Sequence, residues 1–303
     1  MASINILGVS HTYELTPPTQ SSCPVLVFIH GWLLSRSYWQ PLIYRLSQQY
    51  QCLIYDLRGF GESQSQIHNT QSSTSNRDSE SPFPETATSP TDRYSLAAYA
   101  EDLVILLEEL GIEQAWVIGH SLGGSIALWG AYLLPQRIKG VICLNAGGGI
   151  YLKEEFERFR LAGEQLVKRR PRWLCYVPLL DLLFTRAQVA HPISRKWGRQ
   201  RVVDFVTANA EAALRTLLDT TTEAEVHRLP QVVSRLKQPV YFIAGTKDKV
   251  MAPKYVRHLA SFHNLFQSCG DNVIEIAECG HMAMVEKPET IEDQIRKILA
   301  NYS

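Results

Sequence analysis

Gly119-His120-Ser121-Leu122-Gly123 sets a serine between two glycines at G-x-S-x-G spacing. A serine hydroxyl is a weak nucleophile at its own pKa and needs a neighbouring base to take its proton. That base is a histidine, oriented by a buried carboxylate. Asp248, in Gly245-Thr246-Lys247-Asp248, and His281, in Cys279-Gly280-His281, follow the serine in the order Ser, Asp, His. The three could carry nucleophilic attack on a carbonyl, with proton transfer through the imidazole. The resulting oxyanion needs two N–H donors. Leu122, directly after the serine, supplies one, and Trp32 in His30-Gly31-Trp32 supplies the other. Each such donor is typically worth about 3 kcal/mol in the transition state.

These residues work only if the chain positions them. Short apolar runs at 25–29, 52–55, 115–118, 141–144, 240–244 and 273–276 do not alternate with polar residues. Such runs read as strands buried on both faces, hence a parallel sheet. Helical patterns lie between them. Leu96, Tyr99, Leu103, Leu106 and Leu110 form one stripe between Ser95 and the stop at Gly111. Residues 121–134 end at Pro135, and 288–299 begin on Pro288 with Ile291, Ile295 and Ile298 in step. Alternating strands and helices predict an α/β, doubly wound, mostly parallel sheet. The strand 115–118 runs into Ser121 and a helix runs out, the corner that lifts a serine clear of the sheet. Gly119 and Gly123 keep that tight turn free of bulk. Asp248 and His281 fall just past strand ends, where open α/β sheets gather their active residues.

The other candidates fit the chemistry less well. His120 adjoins the serine and reads as packing around the turn, and His30 reads as orienting the loop that carries Gly31 and Trp32. Asp56 ends a strand upstream and anchors the Arg58-Gly59-Phe60-Gly61 turn. Asn145 ends the strand after the serine, but an amide cannot stabilise an imidazolium, which leaves Asp248. His11, His68, His191, His227, His258 and His263 read as surface or locally bonded histidines.

Composition narrows the classes. The chain has 303 residues, with 30 Lys+Arg against 30 Asp+Glu, so its formal charge is zero. That argues against a nucleic-acid partner, which needs a basic surface. No apolar run reaches membrane-spanning length, and the N-terminus lacks the basic start and apolar stretch of a signal peptide. The six cysteines are scattered without C-x-x-C. They read as small buried hydrophobes in a reducing, cytoplasmic setting. No metal site is expected without ligand spacing, and no cofactor, since Gly147-Gly148-Gly149 lacks the phosphate-loop spacing. Oligomeric state is not legible.

Two stretches break the strand–helix rhythm. Residues 64–92 are rich in Ser, Thr, Gln, Asn and Pro and read as a disordered surface insertion. Residues 150–235 carry only helically spaced apolar residues, among them Phe156, Phe159 and Leu166, then Val203, Val206, Ala210, Leu214 and Leu217. They read as an all-helical insertion between a first core segment, 1–149, and a second, 236–303.

Five motifs in order carry a resemblance. They are His30-Gly31-Trp32, Asp56-Leu57-Arg58-Gly59-Phe60-Gly61, Gly119-His120-Ser121-Leu122-Gly123-Gly124, Gly245-Thr246-Lys247-Asp248, and Cys279-Gly280-His281 with Glu286-Lys287-Pro288-Glu289. The chain resembles the α/β-hydrolase fold superfamily, in its cap-bearing branch of esterases, lipases, C–C bond hydrolases and epoxide hydrolases. Ser121 sets it apart from members that use aspartate as nucleophile. The resemblance implies that 150–235 is a cap over the site. The chain is also similar to 2-succinyl-6-hydroxy-2,4-cyclohexadiene-1-carboxylate synthase. That family has Tyr before the nucleophile and Arg four positions after it, where this chain has His120 and Ser125.

The expected activity is therefore hydrolysis of a small-molecule carboxylic ester through an acyl-enzyme on Ser121. The alternatives are a lyase or C–C hydrolase whose cap arginines hold an anionic substrate, thioester or acyl transfer, and a non-enzymatic scaffold. Lys168-Arg169-Arg170-Pro171-Arg172-Trp173 and the apolar 174–184 stretch carry three readings: a solvated turn before a core helix, an anion site, or a lid that touches an anionic membrane and admits a lipophilic ester.

Overall fold

The computed structural model describes residues 1–19, 23–64, 93–149, 153–269 and 272–302. The expected insertion at 64–92 lies outside these, apart from Gln64. Eight strands form one sheet: β1 (Ala2–Ile6), β2 (Val9–Leu15), β3 (Val25–Ile29), β4 (Cys52–Tyr55), β5 (Ala115–His120), β6 (Ile138–Leu144), β7 (Val240–Gly245) and β8 (Val273–Ile276). Their order is β1-β2-β4-β3-β5-β6-β7-β8. From β4 to β8 every pairing is parallel, and β2 joins β4 antiparallel.

The six strands read from apolar runs are all present. β1 and β2 were not expected. They form an antiparallel hairpin in which Ile6 pairs with Val9 across Leu7-Gly8. Both turn residues have positive φ, 49° and 81°, as a two-residue hairpin turn matching the strand twist requires.

The sheet separates two cores. Val27 and Ile29 of β3 face one, and Leu26 and Phe28 face the other. The first face is covered by α2 (Leu96–Glu109), α3 (Leu122–Leu133), α8 (Glu223–Arg235) and α9 (Pro253–Ala260). The second is covered by α1 (Gln40–Leu46), α11 (Ala283–Glu286) and α12 (Pro288–Ala300), with Ile291, Ile295 and Ile298 turned inward. α2 starts where Ser95 Oγ accepts the Ala98 N–H at 3.2 Å, and it stops before Gly111 at φ 65°. α10 (Asn264–Cys269) precedes β8.

Between β6 and β7 the described residues hold helices alone. They are α4 (Lys153–Lys168), a 3-10 turn (Arg172–Tyr176), α5 (Leu180–Phe184), α6 (Arg195–Thr207), α7 (Ala210–Thr220) and α8. α8, the last of these, packs on α3 and α9, so it belongs with the sheet layers. The 174–184 stretch does not form a core helix. The 3-10 turn buries none of its residues, and α5 is five residues long. Among the described residues no helix is long and apolar enough to cross a membrane.

Candidate active site

Ser121 sits where β5 turns into α3, at φ 52° and ψ −119°. A β-substituted residue adopts this conformation only when its surroundings enforce it. Here they do: the Ser121 N–H donates to Leu144 O at 3.0 Å, and Ser121 O accepts the Gly124 N–H at 2.9 Å. The flanking glycines are obligatory by contact. A Cβ on Gly119 would lie 2.1 Å from Gly123 O, and one on Gly123 would lie 2.2 Å from Ile29 O.

Asp248 and His281, at the ends of β7 and β8, meet directly. His281 Nδ1–H donates to Asp248 Oδ2 at 2.7 Å, leaving Nε2 with its lone pair. Asp248 is buried and accepts three further hydrogen bonds. Asn145 Nδ2 donates to Oδ2 at 2.8 Å, and the N–H groups of Val250 and Met251 donate to Oδ1 at 2.8 and 2.9 Å. Burial alone would raise the Asp248 pKa, but His281 and these donors hold it below the usual carboxylate range. The structure brings Ser121 and His281 onto neighbouring loops without a hydrogen bond between their side chains. Bonds of that kind commonly tighten only with substrate in place.

Asn145 was set aside in the sequence because an amide cannot serve as the acid. It acts one step behind: at φ 49° it bridges Asp248 and, at 3.2 Å, the Gly280 carbonyl. Glu286 was quoted only as part of a motif. Its Oε2 accepts the Gly280 N–H at 2.9 Å, and its Oε1 accepts the N–H groups of Ala190 and His191 at 2.9 and 3.0 Å. It therefore ties the loop before His281 to the helical segment. The His281 N–H adds a second tie by donating to Gln188 O at 2.8 Å.

His120 does more than pack. Its Nε2–H donates to His281 O at 2.8 Å, and burial pushes its pKa down to about 3, so it is a neutral prop beneath His281. His30 directly follows β3. Its Nε2 accepts the Leu57 N–H at 3.0 Å, so Nδ1–H donates to Gly31 O at 2.8 Å and fixes the loop carrying Trp32. A Cβ on Gly31 would meet the His120 ring at 2.8 Å and Ser121 Cβ at 3.2 Å, so this loop lies against the serine. Asp56 anchors its turn through the Glu62 N–H at 2.9 Å and also receives Arg36. Two histidines read as surface or locally bonded residues are buried and make local bonds, His11 to Val9 O at 3.0 Å and His263 from the Leu265 N–H at 3.2 Å. His11 lies 3.4 Å from Asp102, and His263 meets Gln238 O at 3.0 Å. Cys52, Cys143 and Cys279 are buried, whereas Cys175 is exposed.

A pocket of about 720 Å³, partly open to solvent, reaches Ser121, Leu122 and Trp32. Phe159 of α4 and Leu217 and Thr220 of α7 line it from the helical segment, and Leu96, Val250 and Met251 from the sheet layers. Among the described residues no charged side chain lines it. The Trp32 indole donates to Ala213 O of α7 at 2.9 Å, fastening the loop after β3 to the pocket's helical wall. Among the described residues no group of three His, Cys, Asp or Glu could hold a metal.

The chain is 24% identical over 290 residues to 3-oxoadipate enol-lactonase 2 of Acinetobacter baylyi, covering 94% of this chain and 91% of that protein. It is 25% identical over 256 residues to a bifunctional esterase/perhydrolase of Acinetobacter calcoaceticus, covering 80% of each. A thermophilic esterase from Thermogutta terrifontis superposes with a TM-score of 0.71 at 21% identity, over 99% of both chains, which speaks to the fold. The family model of the alpha/beta hydrolase fold matches residues 24–288, and with the sheet order and the strand-to-helix corner at Ser121 it makes this chain a member of the α/β hydrolase fold family.

Proposed function

We propose that the protein is a serine hydrolase of neutral carboxylic esters, with Ser121 as nucleophile, His281 as general base and acid, and Asp248 as the orienting carboxylate. The observation that carries this reading is the Asp248–His281 hydrogen bond at 2.7 Å, which fixes the tautomer that leaves Nε2 free to take a proton. Ser121 Oγ attacks the ester carbonyl as Nε2 takes its proton. The backbone N–H groups of Leu122 and Trp32 receive the oxyanion. Imidazolium then protonates the departing alkoxide, leaving an acyl-enzyme. Water, deprotonated by the same Nε2, releases the acid and restores the hydroxyl.

The pocket supports a neutral, apolar acyl group. The lyase alternative calls for a cation in the pocket, and no arginine of the basic run 168–172 is among its lining residues: Arg169 and Arg172 are exposed, and Arg170 and the buried Arg201 are engaged by backbone carbonyls. Arg170 donates to the carbonyls of Phe205, Ala208 and Asn209, and Arg201 to those of Phe184 and Ala187. The helical segment would act as the cap that shields the acyl-enzyme. The test is turnover of p-nitrophenyl esters from acetyl to palmitoyl by wild type and Ser121→Ala. The expected loss in the variant is at least about 10⁴-fold. A wild type inactive at every length, or a variant that keeps its activity, would overturn the proposal.

A further inference from the structure

The outer face of residues 172–183 takes no part in the chemistry above. Trp173 is 61% exposed, Tyr176 86%, Leu179 61% and Leu183 65%. In a 3-10 turn residues three apart stand over one another, which sets Trp173 and Tyr176 on one side. Leu179 and Leu183 lie one turn apart at α5. The neighbours Leu174, Leu180 and Phe184 already pack against the core, so the four exposed side chains are not needed to anchor the segment.

The charge around them is one-sided. Between 165 and 200 the only acid is Asp181, and it is engaged by Arg195 and Arg199 at 2.5 and 3.2 Å. Lys168 pairs with Glu164. Arg169, Arg172, Arg186 and Lys196 are exposed and have no acidic partner among the described residues. A folded protein partner would need acidic groups placed one by one against these cations around a shape-matched apolar centre. A bilayer needs only apolar depth, amphipathic rings at the headgroups and positive charge toward anionic lipid.

We propose that this face docks the protein on an anionic bilayer surface, with Trp173 and Tyr176 at headgroup depth and the four cations against lipid phosphates. The proposal does not rest on the hydrolase reading. It is tested by sedimenting the full chain with vesicles of phosphatidylcholine alone or mixed with phosphatidylglycerol. Wild type and Ser121→Ala are expected to bind the mixed vesicles alike, to bind the neutral ones weakly, and to dissociate as salt rises. Each basic residue near the surface contributes about fivefold to partitioning, so Arg169→Gln/Arg172→Gln/Arg186→Gln should bind roughly a hundredfold less well. Trp173→Ala/Tyr176→Ala should lose binding that added salt does not account for. These residues are exposed, so the variants should melt with wild type. Equal binding to both vesicle types, or variants that bind as wild type does, would overturn the proposal. So would a dimer in solution that the aromatic double variant converts to monomer, since the face would then seat a second copy.

Discussion

Replacing Glu286 with alanine tests whether the helical segment and the base are mechanically coupled. The carboxylate accepts three backbone N–H groups, from Gly280 beside the base and from Ala190 and His191 across the boundary. A hydrogen bond to a charged group contributes about 1.5–3 kcal/mol. His191 is exposed, so water replaces its bond. Two bonds at the low end leave about 3 kcal/mol. At about 2–4 °C per kcal/mol for a chain near this size, the melting temperature should fall by roughly 6–12 °C. Loosening the Gly280-His281 loop should also misplace Nε2, and a displacement near 1 Å can lower kcat by about 100-fold. Glu286 does not line the pocket, so KM should change little. Glu286→Gln keeps one acceptor oxygen and should recover part of both losses. The assay is thermal unfolding beside kcat and KM on a soluble ester. A melting temperature that falls with kcat intact would make Glu286 a purely structural clamp and refute the coupling.

Asn145→Ala removes the donors to Asp248 and Gly280 O. The expected cost is about 2 kcal/mol in stability, read by urea unfolding, together with a fall in kcat. Stability should also fall on acidification. His120 and His30 have pKa values depressed by burial, so the unfolded chain binds their protons first. Their contribution is full above about 6.5 and declines toward about 3 for His120, by up to about 1.4 kcal/mol per pH unit for each group. Asp204 acts oppositely. Its pKa is raised by burial to about 6, so its cost is relieved as pH falls through that value, and Asp204→Asn should steepen the acid loss in urea titrations. An ester whose acyl chain ends in a carboxylate should show a kcat/KM at least about 100-fold below that of its neutral isostere, because the charge enters an uncharged pocket.

The middle of the sheet is legible because β3 to β7 are buried on both faces and need no alternation, whereas β8, at the edge with Glu275 exposed, is legible from Val273, Ile274 and Ile276. β1 and β2 carry mixed side chains such as Ser-His-Thr-Tyr, half-buried at the sheet's edge, and their apolar signal is weak. The strand-to-helix corner could be read from its two glycines, because local sterics alone demand them. Asn145 and Glu286 could not be assigned roles. Asn145 meets an acid 103 positions away, and Glu286 meets a segment about 95 positions before it. His11 and His263 make the local bonds that their sequence reading allowed, to Val9 O and from the Leu265 N–H, but their burial comes from other elements and was not legible.

The helical segment carries 15 Lys/Arg against 10 Asp/Glu across 151–235, and an anion site is one of the three readings its basic run 168–173 carries in sequence. The structure divides those cations by direction. Arg170 and Arg201 turn inward and are buried, but they meet backbone carbonyls at the ends of α5 and α6, and burial lowers the pKa of both. A guanidinium held by carbonyl dipoles is satisfied without an anion, and withdrawing it toward a substrate would orphan those carbonyls in the interior. Arg160, closest in chain to the pocket-lining Phe159, likewise donates to Leu218 O at 2.9 Å and to Thr221. Arg169 and Arg172, which have no such bonds, are exposed in the same stretch of chain as Trp173 and Tyr176. Positive charge in this segment therefore belongs to its frame and its outer surface. Among the described residues the space above Ser121 is lined by apolar and hydroxyl side chains, which suits the neutral acyl group proposed above.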